Sequence, residues 1–403
     1  MTYPTIRPSL TLDFSKSKQL DPRIGFSRSS AATYVDGGVV KSAANNVARF
    51  EEEGLLIEES RTNLATYSED LSDSSWTKNS TTVTANATTA PDGNTTADKV
   101  ITENNGAGTG NSIITKSATT TAAVHTFSVF LKKNGRSFAL LYDASNAVGA
   151  YFNLTTGAVT TGGSGISASA ASASEDIGNG WFRCSISNTT SAGTTNYRIY
   201  VTDSGSNYAH QGDGTSGIFA WGAQVETGSF PSSYIPTSGS TVTRSADVAE
   251  MTADNFSSWY NQNEGTVIAE YRVPPEKDNS TIWAITGASD ADRIAHYLRP
   301  ASSGSFRFDT TVSSAFTSAI QITNPRPNLY KTGLGISPQN IKAIIDGVTL
   351  YEDTGRSGNI PTVTQLLVGN TTTTSTGSGL GHMSRLSYYN QRLTDAQLQE
   401  LTS

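Results

Sequence analysis

Residues 125–142 read HTFSVFLKKNGRSFALLY, and this stretch decides the fold class. Polar and apolar side chains alternate over residues 125–131, a turn-like stretch follows at 132–136, and an apolar run resumes over 137–142. Alternation over several residues is typical of a β-strand with one buried face. The stretch therefore predicts two strands, which we interpret as a hairpin closed by the turn.

The same pattern recurs along most of the chain. A second hairpin is predicted from residues 150–154 through 155–157 into 158–160. Short β-type runs separated by Gly, Ser, Asn and Asp are typical of sandwiches and barrels. We predict an all-β fold: two consecutive antiparallel β-sandwich (jelly-roll) domains with an extended N-terminal segment and few short helices.

One helix is predicted inside the chain. Residues 252–262 place Phe256, Trp259 and Tyr260 on one apolar stripe. The segment lies between two β-rich stretches, so we expect it to mark a domain boundary.

A second helix is predicted at the C-terminus. Thr394 and Gln397 have the spacing of a capping box, and Leu393 can staple onto Leu398. Asp395 would stabilise the positive end of this helix.

Three parts of the chain are predicted. Residues 1–60 form an attachment segment, 61–249 a first sandwich and 250–403 a second, with 237–245 as the best linker candidate. Because residues 1–60 are too few to hold a core of their own, we hypothesise that they pack against a neighbouring subunit.

Composition argues against several classes of function. Charged residues make up 16% of the chain, the net charge is −7, and no Lys/Arg cluster is interleaved with aromatics, so nucleic-acid binding is disfavoured. No apolar stretch approaches the roughly 18 residues of a membrane span, and residues 1–15 lack the pattern of a signal peptide. Cys184 is the single cysteine, which excludes an intrachain disulfide.

No catalytic motif emerges from the sequence. The four histidines, His125, His210, His296 and His382, are scattered, and no P-loop, Rossmann fingerprint or G-x-S-x-G elbow occurs. We predict that the chain is not an enzyme. A glycan-degrading enzyme is the open alternative, although no Glu-x-Asp-x-x-Glu strand is present. The acidic runs at 51–53 and 58–59 are interpreted as solvated or inter-subunit contacts.

The N-terminal region carries a resemblance to a known group of proteins. Residues 23–34 (RIGFSRSSAATY), 46–50 (NVARF) and 54–64 (GLLIEESRTNL) resemble a segment common in tail-fibre and other structural proteins of bacteriophages. The match covers some forty residues.

Two further regions extend the resemblance. GWFRCSI at 180–186, IFAWGAQVE at 218–226, SYIPT at 233–237 and TVTRSAD at 241–247 are similar to the last strands of carbohydrate-binding-module-like jelly rolls in phage proteins. From GTVIAEY at 265–271 through NIKAIIDGV at 340–348 to RLSYYN at 385–390, the C-terminal part resembles a concanavalin A-like, laminin-G-like sandwich.

The resemblance implies a location in a phage virion without saying which part of the particle. We predict a non-enzymatic structural protein, namely a tail fibre or spike whose lectin-like domains contact host-surface glycans, with a capsid decoration protein that stabilises the particle as the alternative. By the same analogy the partners are other virion proteins and further copies of the chain, with a homotrimer favoured. We expect synthesis in the cytoplasm of a bacterial host, because the resemblance is to phage proteins and residues 1–15 lack the pattern of a signal peptide.

The candidates for sugar binding are aromatic residues, because a sugar site needs an exposed aromatic ring that packs against the sugar and polar neighbours that bind its hydroxyls. Trp76 lies in a polar loop, and His296, Tyr297 and Arg299 form a second candidate surface. The other tryptophans are predicted to lie in the core: Trp181, Trp221, Trp259 and Trp283.

A cofactor is not predicted, although a structural calcium ion is an open alternative. Asp203, Asp213 and Glu226 lie in or near loops of the kind that hold calcium in related jelly rolls. The competing interpretation of these three carboxylates is that they are solvent-facing turn residues.

Overall fold

The computed structural model describes residues 6–104, 110–163, 165–274, 280–288, 291–298, 305–312, 315–323, 329–354, 360–370 and 381–403. The first half of the strands are β1 (Leu10–Asp13), β2 (Gly25–Ser27), β3 (Ala32–Asp36), β4 (Val39–Ala43), β5 (Arg49–Glu51), β6 (Gly54–Ile57), β7 (Arg61–Asn63), β8 (Trp76–Asn79), β9 (Thr81–Thr88), β10 (Ala97–Thr102), β11 (Ser112–Thr120), β12 (Val124–Asn134), β13 (Phe138–Asp143), β14 (Val148–Asn153), β15 (Val159–Thr161) and β16 (Ser167–Ala168).

The remaining strands are β17 (Ala171–Gly178), β18 (Trp181–Thr189), β19 (Gly193–Thr202), β20 (Gly217–Thr227), β21 (Val242–Arg244), β22 (Val248–Thr252), β23 (Gly265–Arg272), β24 (Ser280–Thr286), β25 (Arg293–Leu298), β26 (Ser305–Val312), β27 (Ala315–Thr323), β28 (Tyr330–Ile336), β29 (Ile341–Ile345), β30 (Val348–Asp353), β31 (Gln365–Val368) and β32 (Gly381–Tyr389). The helices are α1 (Phe14–Ser17), α2 (Ala253–Ser257) and α3 (Asp395–Thr402). None of these helices has the length and apolar character of a membrane span.

The chain folds into two compact units. Unit 1 comprises Met1–Ala31, Ala43–Ser60 and Ser245–Ser403, and unit 2 comprises Ala32–Ser42 and Arg61–Arg244. The all-β sandwich prediction is confirmed, since each unit contains two large sheets whose strands pair antiparallel, apart from the short parallel pair β14–β16.

The sheets of unit 2 enclose one apolar core. Their strand orders are β17-β18-β12-β20-β10-β9 and β15-β14-β13-β19-β11-β8, with β16 beside β14. Phe127 and Val129 from the first sheet meet Leu141 and Ile199 from the second in a single buried cluster. Trp181 and Trp221 are buried as predicted, at 3% and 1% exposure.

Unit 1 repeats this plan with different strands. Its sheets have the orders β30-β29-β28-β23-β32-β6-β5, with β1 beside β32, and β2-β22-β31-β24-β25-β26-β27. Tyr271 and Met383 from the first sheet share a core with Met251 and Trp283 from the second. The predicted burial of Trp259 and Trp283 is confirmed.

The first predicted hairpin is wrong, although both of its strands exist. β12 pairs with β18 and β20, whereas β13 pairs with β14 and β19 in the other sheet. Because both edges of β12 are occupied, the turn at 135–137 carries the chain from one sheet to the other. The second predicted hairpin is confirmed as β14 and β15, with Tyr151 opposite Thr160.

The helix predictions have mixed outcomes. The C-terminal helix is confirmed, and its capping box between Thr394 and Gln397 is complete. The internal helix is much shorter than the predicted 252–262, because α2 ends at Ser257. Its apolar stripe is still buried at Phe256 and Trp259.

The N-terminal residues are part of the same chain's own sandwich. β1 and β6 pair with β32, and β2 pairs with β22. Residues 1–60 are divided between the two units, so their apolar side chains find a core within the chain. The premise that this segment has no core within its own chain is therefore wrong, whereas its contact with a neighbouring subunit stays a prediction.

The predicted linker is also corrected. Thr237 donates its hydroxyl to the carbonyl of Ala65 over 2.5 Å, and β21 pairs with β7. These residues are held in unit 2 by hydrogen bonds, which a flexible linker would lack.

A buried ionic network ties three segments of unit 1 together. Asp247 accepts from Arg28 at 3.0 Å and from Arg49 at 2.5 Å, and all three side chains are fully buried. Arg49 also reaches Glu58 at 2.7 Å, and the backbone N–H of Glu58 donates to Asp247. Since these residues come from the motifs that carry the phage resemblance, the motifs have a structural role in this chain. The expectation that Glu58 is a solvated or inter-subunit contact is wrong.

We expect Asp247→Asn to lower the free energy of unfolding of unit 1 by about 3–5 kcal/mol, because it removes the buried carboxylate that neutralises Arg28 and leaves Arg49 with the carboxylate of Glu58. Urea unfolding measures this loss. Lys16→Gln, which removes the ion pair of the exposed Lys16 with Asp13 in unit 1, is the control and should change little. Equal unfolding midpoints for the two variants would contradict the assigned role of the network.

Candidate functional site

The core of unit 2 determines which side chains of β19 point outward. Tyr197, Ile199 and Val201 lie in the inner cluster. Because successive side chains of a strand point to opposite faces, Arg198 and Tyr200 lie on the outer face of the sheet. Tyr200 belongs to a separate buried cluster there.

Strand register brings further tyrosines to this outer face. Tyr142 of β13 stands opposite Arg198, and Leu140 stands opposite Tyr200. On its other side Leu140 is paired with Tyr151 of β14. The register therefore assembles three tyrosines from three adjacent strands.

A fourth tyrosine comes from the loop after β19. The rings of Tyr200 and Tyr208 lie 5.3 Å apart between centroids, and Tyr142 meets Tyr200 edge-on at 5.9 Å. Arg198 donates from Nη1 to the hydroxyl of Tyr200 over 3.2 Å. We call Tyr142, Tyr151, Tyr200, Tyr208 and Arg198 the tyrosine face.

The members of the tyrosine face differ in exposure. Tyr142, Tyr208 and Arg198 are partly exposed, whereas Tyr200 is 5% exposed and Tyr151 is fully buried. The face therefore presents two partly exposed tyrosine rings and a guanidinium group next to two buried tyrosine rings.

The hydroxyl of Tyr151 is unusual. It is buried and forms no hydrogen bond with any described residue. Burial raises the pKa of Tyr151 to about 12, so the phenol is protonated at neutral pH. Gly163 packs directly against the ring of Tyr151, since a Cβ at Gly163 would lie 2.5 Å from a ring carbon of Tyr151. A buried hydroxyl without a hydrogen-bond partner lowers the free energy of unfolding by about 1–3 kcal/mol. The stability of a variant without this hydroxyl tests that cost.

The chemistry of the tyrosine face suits a polar ligand with apolar faces. Aromatic rings pack against CH groups, while phenol and guanidinium groups bind hydroxyl or carboxylate oxygens. Sugars combine both kinds of surface. The tyrosine face is the candidate functional site.

The structure does not place Trp76 on the surface. This residue is 1% exposed, and its indole N–H donates to the carbonyl of Tyr67 over 3.0 Å. The ammonium group of Lys116 lies 5.3 Å from the ring centroid. The prediction of Trp76 as an exposed platform is therefore corrected, because the polar loop folds its ring into the core of unit 2.

The second predicted surface is buried as well. His296 is fully buried, stacks on Phe308 at 4.0 Å between centroids, and lies 2.7 Å from the hydroxyl of Tyr271. Burial lowers the pKa of His296 to about 3, which leaves the ring neutral at physiological pH. Tyr297 is 8% exposed, so both residues are corrected from surface to interior. Arg299 lies outside the described residues.

The calcium candidates are satisfied by groups of the protein itself. Arg136 lies 3.2 Å from a carboxylate oxygen of Asp203 and 3.7 Å from one of Asp213. Glu226 is fully buried and accepts from the backbone N–H and the hydroxyl of Ser232. Among the described residues these three carboxylates do not form a shared cation site.

The tyrosine face was not among the sites predicted from the sequence, which were Trp76 and the stretch that contains His296, Tyr297 and Arg299. A usable signal was present in FALLYD (138–143) and NYRIYV (196–201), where apolar or aromatic residues occupy both phases of the strand. Such strands are covered on both faces. The partners of Tyr142 and Tyr200 depend on register between distant strands, which the sequence alone does not specify.

Comparison with known proteins finds structural similarity over only part of this chain. No family matches the sequence, and no curated protein matches it either. Among solved structures, part of the chain is similar to the CBM40 of a Ruminococcus gnavus IT-sialidase, with 14% identity, 37% of this chain and 88% of that chain covered, and a TM-score of 0.31. It is also similar to a heptameric SAP-like pentraxin from Limulus polyphemus, with 16% identity, coverage of 35% and 70%, and a TM-score of 0.27. The NanB sialidase from Streptococcus pneumoniae is matched at 10% identity over 38% of this chain and 26% of that chain, with a TM-score of 0.32. At such TM-scores nothing about ligand or activity is carried over.

We expect Tyr151→Phe to leave the stability of unit 2 unchanged or to raise it by about 1 kcal/mol, because it removes an unpaired buried hydroxyl. Tyr234→Phe is the matched control, since the Tyr234 hydroxyl bonds Ser68 and Glu69. This control should lose about 1–3 kcal/mol. Urea unfolding of both variants checks the difference, and a larger loss for Tyr151→Phe would show that its hydroxyl has a structural partner.

Proposed function

We propose that this chain is a non-enzymatic carbohydrate-binding protein and that the tyrosine face of unit 2 holds the sugar. The observation that carries the proposal is the pair of partly exposed rings, Tyr142 and Tyr208, which both lie against Tyr200, with Arg198 opposite Tyr142. Aromatic stacking combined with a few placed polar groups is the usual basis of sugar recognition.

Polar side chains beside the tyrosine face support this ligand class. Thr115 of β11 stands opposite Arg198, and Ser117 stands opposite Asn196. The Ser117 hydroxyl donates to the Asn196 side chain over 2.7 Å, which orients that amide at the edge of the face. A sugar bound on the rings would find uncharged hydrogen-bonding groups next to them.

We propose that the chain does not catalyse a reaction, and two observations on the sequence support this. No strand carries the Glu-x-Asp-x-x-Glu pattern of laminarinase-type sandwiches, and no nucleophile motif occurs. A glycan-degrading enzyme is the competing function. Loss of viscosity of a polysaccharide solution on incubation with the chain would establish that competitor.

We also propose a place in a phage virion, as a tail fibre, tail spike or capsid decoration protein. Its support is the resemblance of residues 23–64 to phage structural proteins. A homotrimer and host-surface glycans are the proposed partners. Mass spectrometry of purified particles, followed by location of the chain in the particle by electron microscopy, tests this part separately from sugar binding.

We expect the full chain to bind a defined set of oligosaccharides on a glycan array. Tyr142→Ala and Arg198→Ala should each weaken that binding about tenfold or more, which corresponds to about 1.4 kcal/mol. Tyr34→Ala, which removes a partly exposed tyrosine elsewhere in unit 2, is the matched control. Thermal unfolding verifies that all variants are folded. Binding that survives both substitutions on the tyrosine face, or an array without any binding, would contradict the proposal.

A further inference from the structure

Three metal-binding side chains converge in unit 1, outside the site described above. Glu51, Glu53 and His382 each offer one ligand atom, and these atoms lie within 4.8 Å of one another. Glu51 ends β5, Glu53 lies in the turn before β6, and His382 is the second residue of β32. The cluster therefore joins a tight turn to a strand more than three hundred residues later in the chain.

Strand register explains why these groups meet. Arg49 of β5 pairs with Leu56 of β6, and Leu56 pairs with His382 of β32. Residues paired across a sheet share a face, and Glu51, two residues beyond Arg49, lies on that face too. The imidazole and the carboxylate are thus brought to one side of the sheet by backbone pairing.

A glycine allows the turn between β5 and β6 to approach β32 closely. Gly54 has a φ of +135°, and a Cβ at this position would lie 2.3 Å from the carbonyl oxygen of Met383. A side chain there would push the turn away. The close approach lets the hydroxyl of Ser384 donate to the carbonyl of Glu53 over 2.6 Å, which fixes the acidic turn next to His382.

The distances suit a shared ion. Nε2 of His382 lies 2.8 Å from Oε2 of Glu51. Two ligands in the tetrahedral geometry that zinc prefers, with bonds of about 2.1 Å, are about 3.4 Å apart, so the ion would replace the hydrogen bond between His382 and Glu51 and separate the two groups by about 0.6 Å. The three side chains retain partial exposure, at 17% for His382, 18% for Glu51 and 28% for Glu53, so an ion has access from solvent.

Two cationic side chains of the protein lie beside the cluster: Arg272, and Lys18, whose Nζ donates to the backbone carbonyls of Glu51 and Glu52. Arg272 lies 3.0 Å from Oε1 of Glu53 and holds that carboxylate in place. Arg272 stands opposite His382 in the β23–β32 pairing, so it approaches from the neighbouring strand. A bound metal ion therefore competes with Arg272 for the carboxylate of Glu53.

We propose that Glu51, Glu53 and His382 bind a divalent transition-metal ion, with Zn²⁺ as the best fit. One imidazole nitrogen and two carboxylate oxygens form a ligand set that zinc accepts. Calcium takes six to eight oxygen ligands and gains little from an imidazole. The bound ion clamps the β5–β6 turn onto β32 and stabilises unit 1 in proportion to the logarithm of its concentration.

Calorimetric titration of the chelator-treated full chain with Zn²⁺ tests the proposal, with Ca²⁺ and Mg²⁺ as comparison ions. We expect one saturable Zn²⁺ site per chain. Glu51→Gln and His382→Gln should each weaken binding about tenfold or more. Glu52→Gln is the matched control, because it makes the same charge change in the same turn at an exposed residue outside the cluster.

Two further measurements keep the result unambiguous. Thermal unfolding without metal verifies that each variant is folded, and Glu53→Gln replaces any variant that is not. NMR of the histidine ring protons should show Zn²⁺ perturbing His382 ahead of the other histidines. Absence of saturable binding, or binding that Glu51→Gln and His382→Gln leave unchanged, would overturn the site.

Discussion

The alternation of side chains along β19 is the constraint on which the candidate site depends. Tyr197, Ile199 and Val201 fill the interior of unit 2, so Arg198 and Tyr200 have to lie on the other side of the sheet. A shift of one residue in register would exchange the two sets and bury a guanidinium group in an apolar core. The core packing that stabilises the sandwich therefore also places the proposed binding groups.

Unit 1 depends on a different interaction. Asp247 neutralises Arg28 and Arg49 in a fully buried network, and each arginine comes from a separate N-terminal motif. Leaving any of these charges without its partner would be costly. This requirement gives a physical reason for the Arg-containing motifs.

The strands were largely predictable from the sequence, but their partners were not. Alternating residues correctly predicted β12 and β13, yet the two belong to different sheets because both edges of β12 are taken by β18 and β20. The short hairpin of β14 and β15 was predictable because its turn is local. The C-terminal helix was predictable for the same reason, since its capping box spans Thr394 to Gln397.

The candidate sites were not predictable from local sequence. Trp76 follows a polar stretch of the chain and His296 lies in an apolar one, and both are buried by residues of neighbouring strands, among them Lys116 and Phe308. Conversely, the tyrosine face requires the pairing of β13, β14 and β19, and the Glu51–His382 contact joins residues 331 positions apart. Composition indicates which residue types are available, whereas register determines which of them meet.

The most direct test of the account is to map a bound oligosaccharide by NMR on the full chain with isotope-labelled tyrosine rings. The account predicts that ring signals of Tyr142, Tyr200 and Tyr208 shift on sugar addition, while those of Tyr34 and Tyr234 remain in place. Shifts confined to tyrosines outside the tyrosine face would contradict the assigned site.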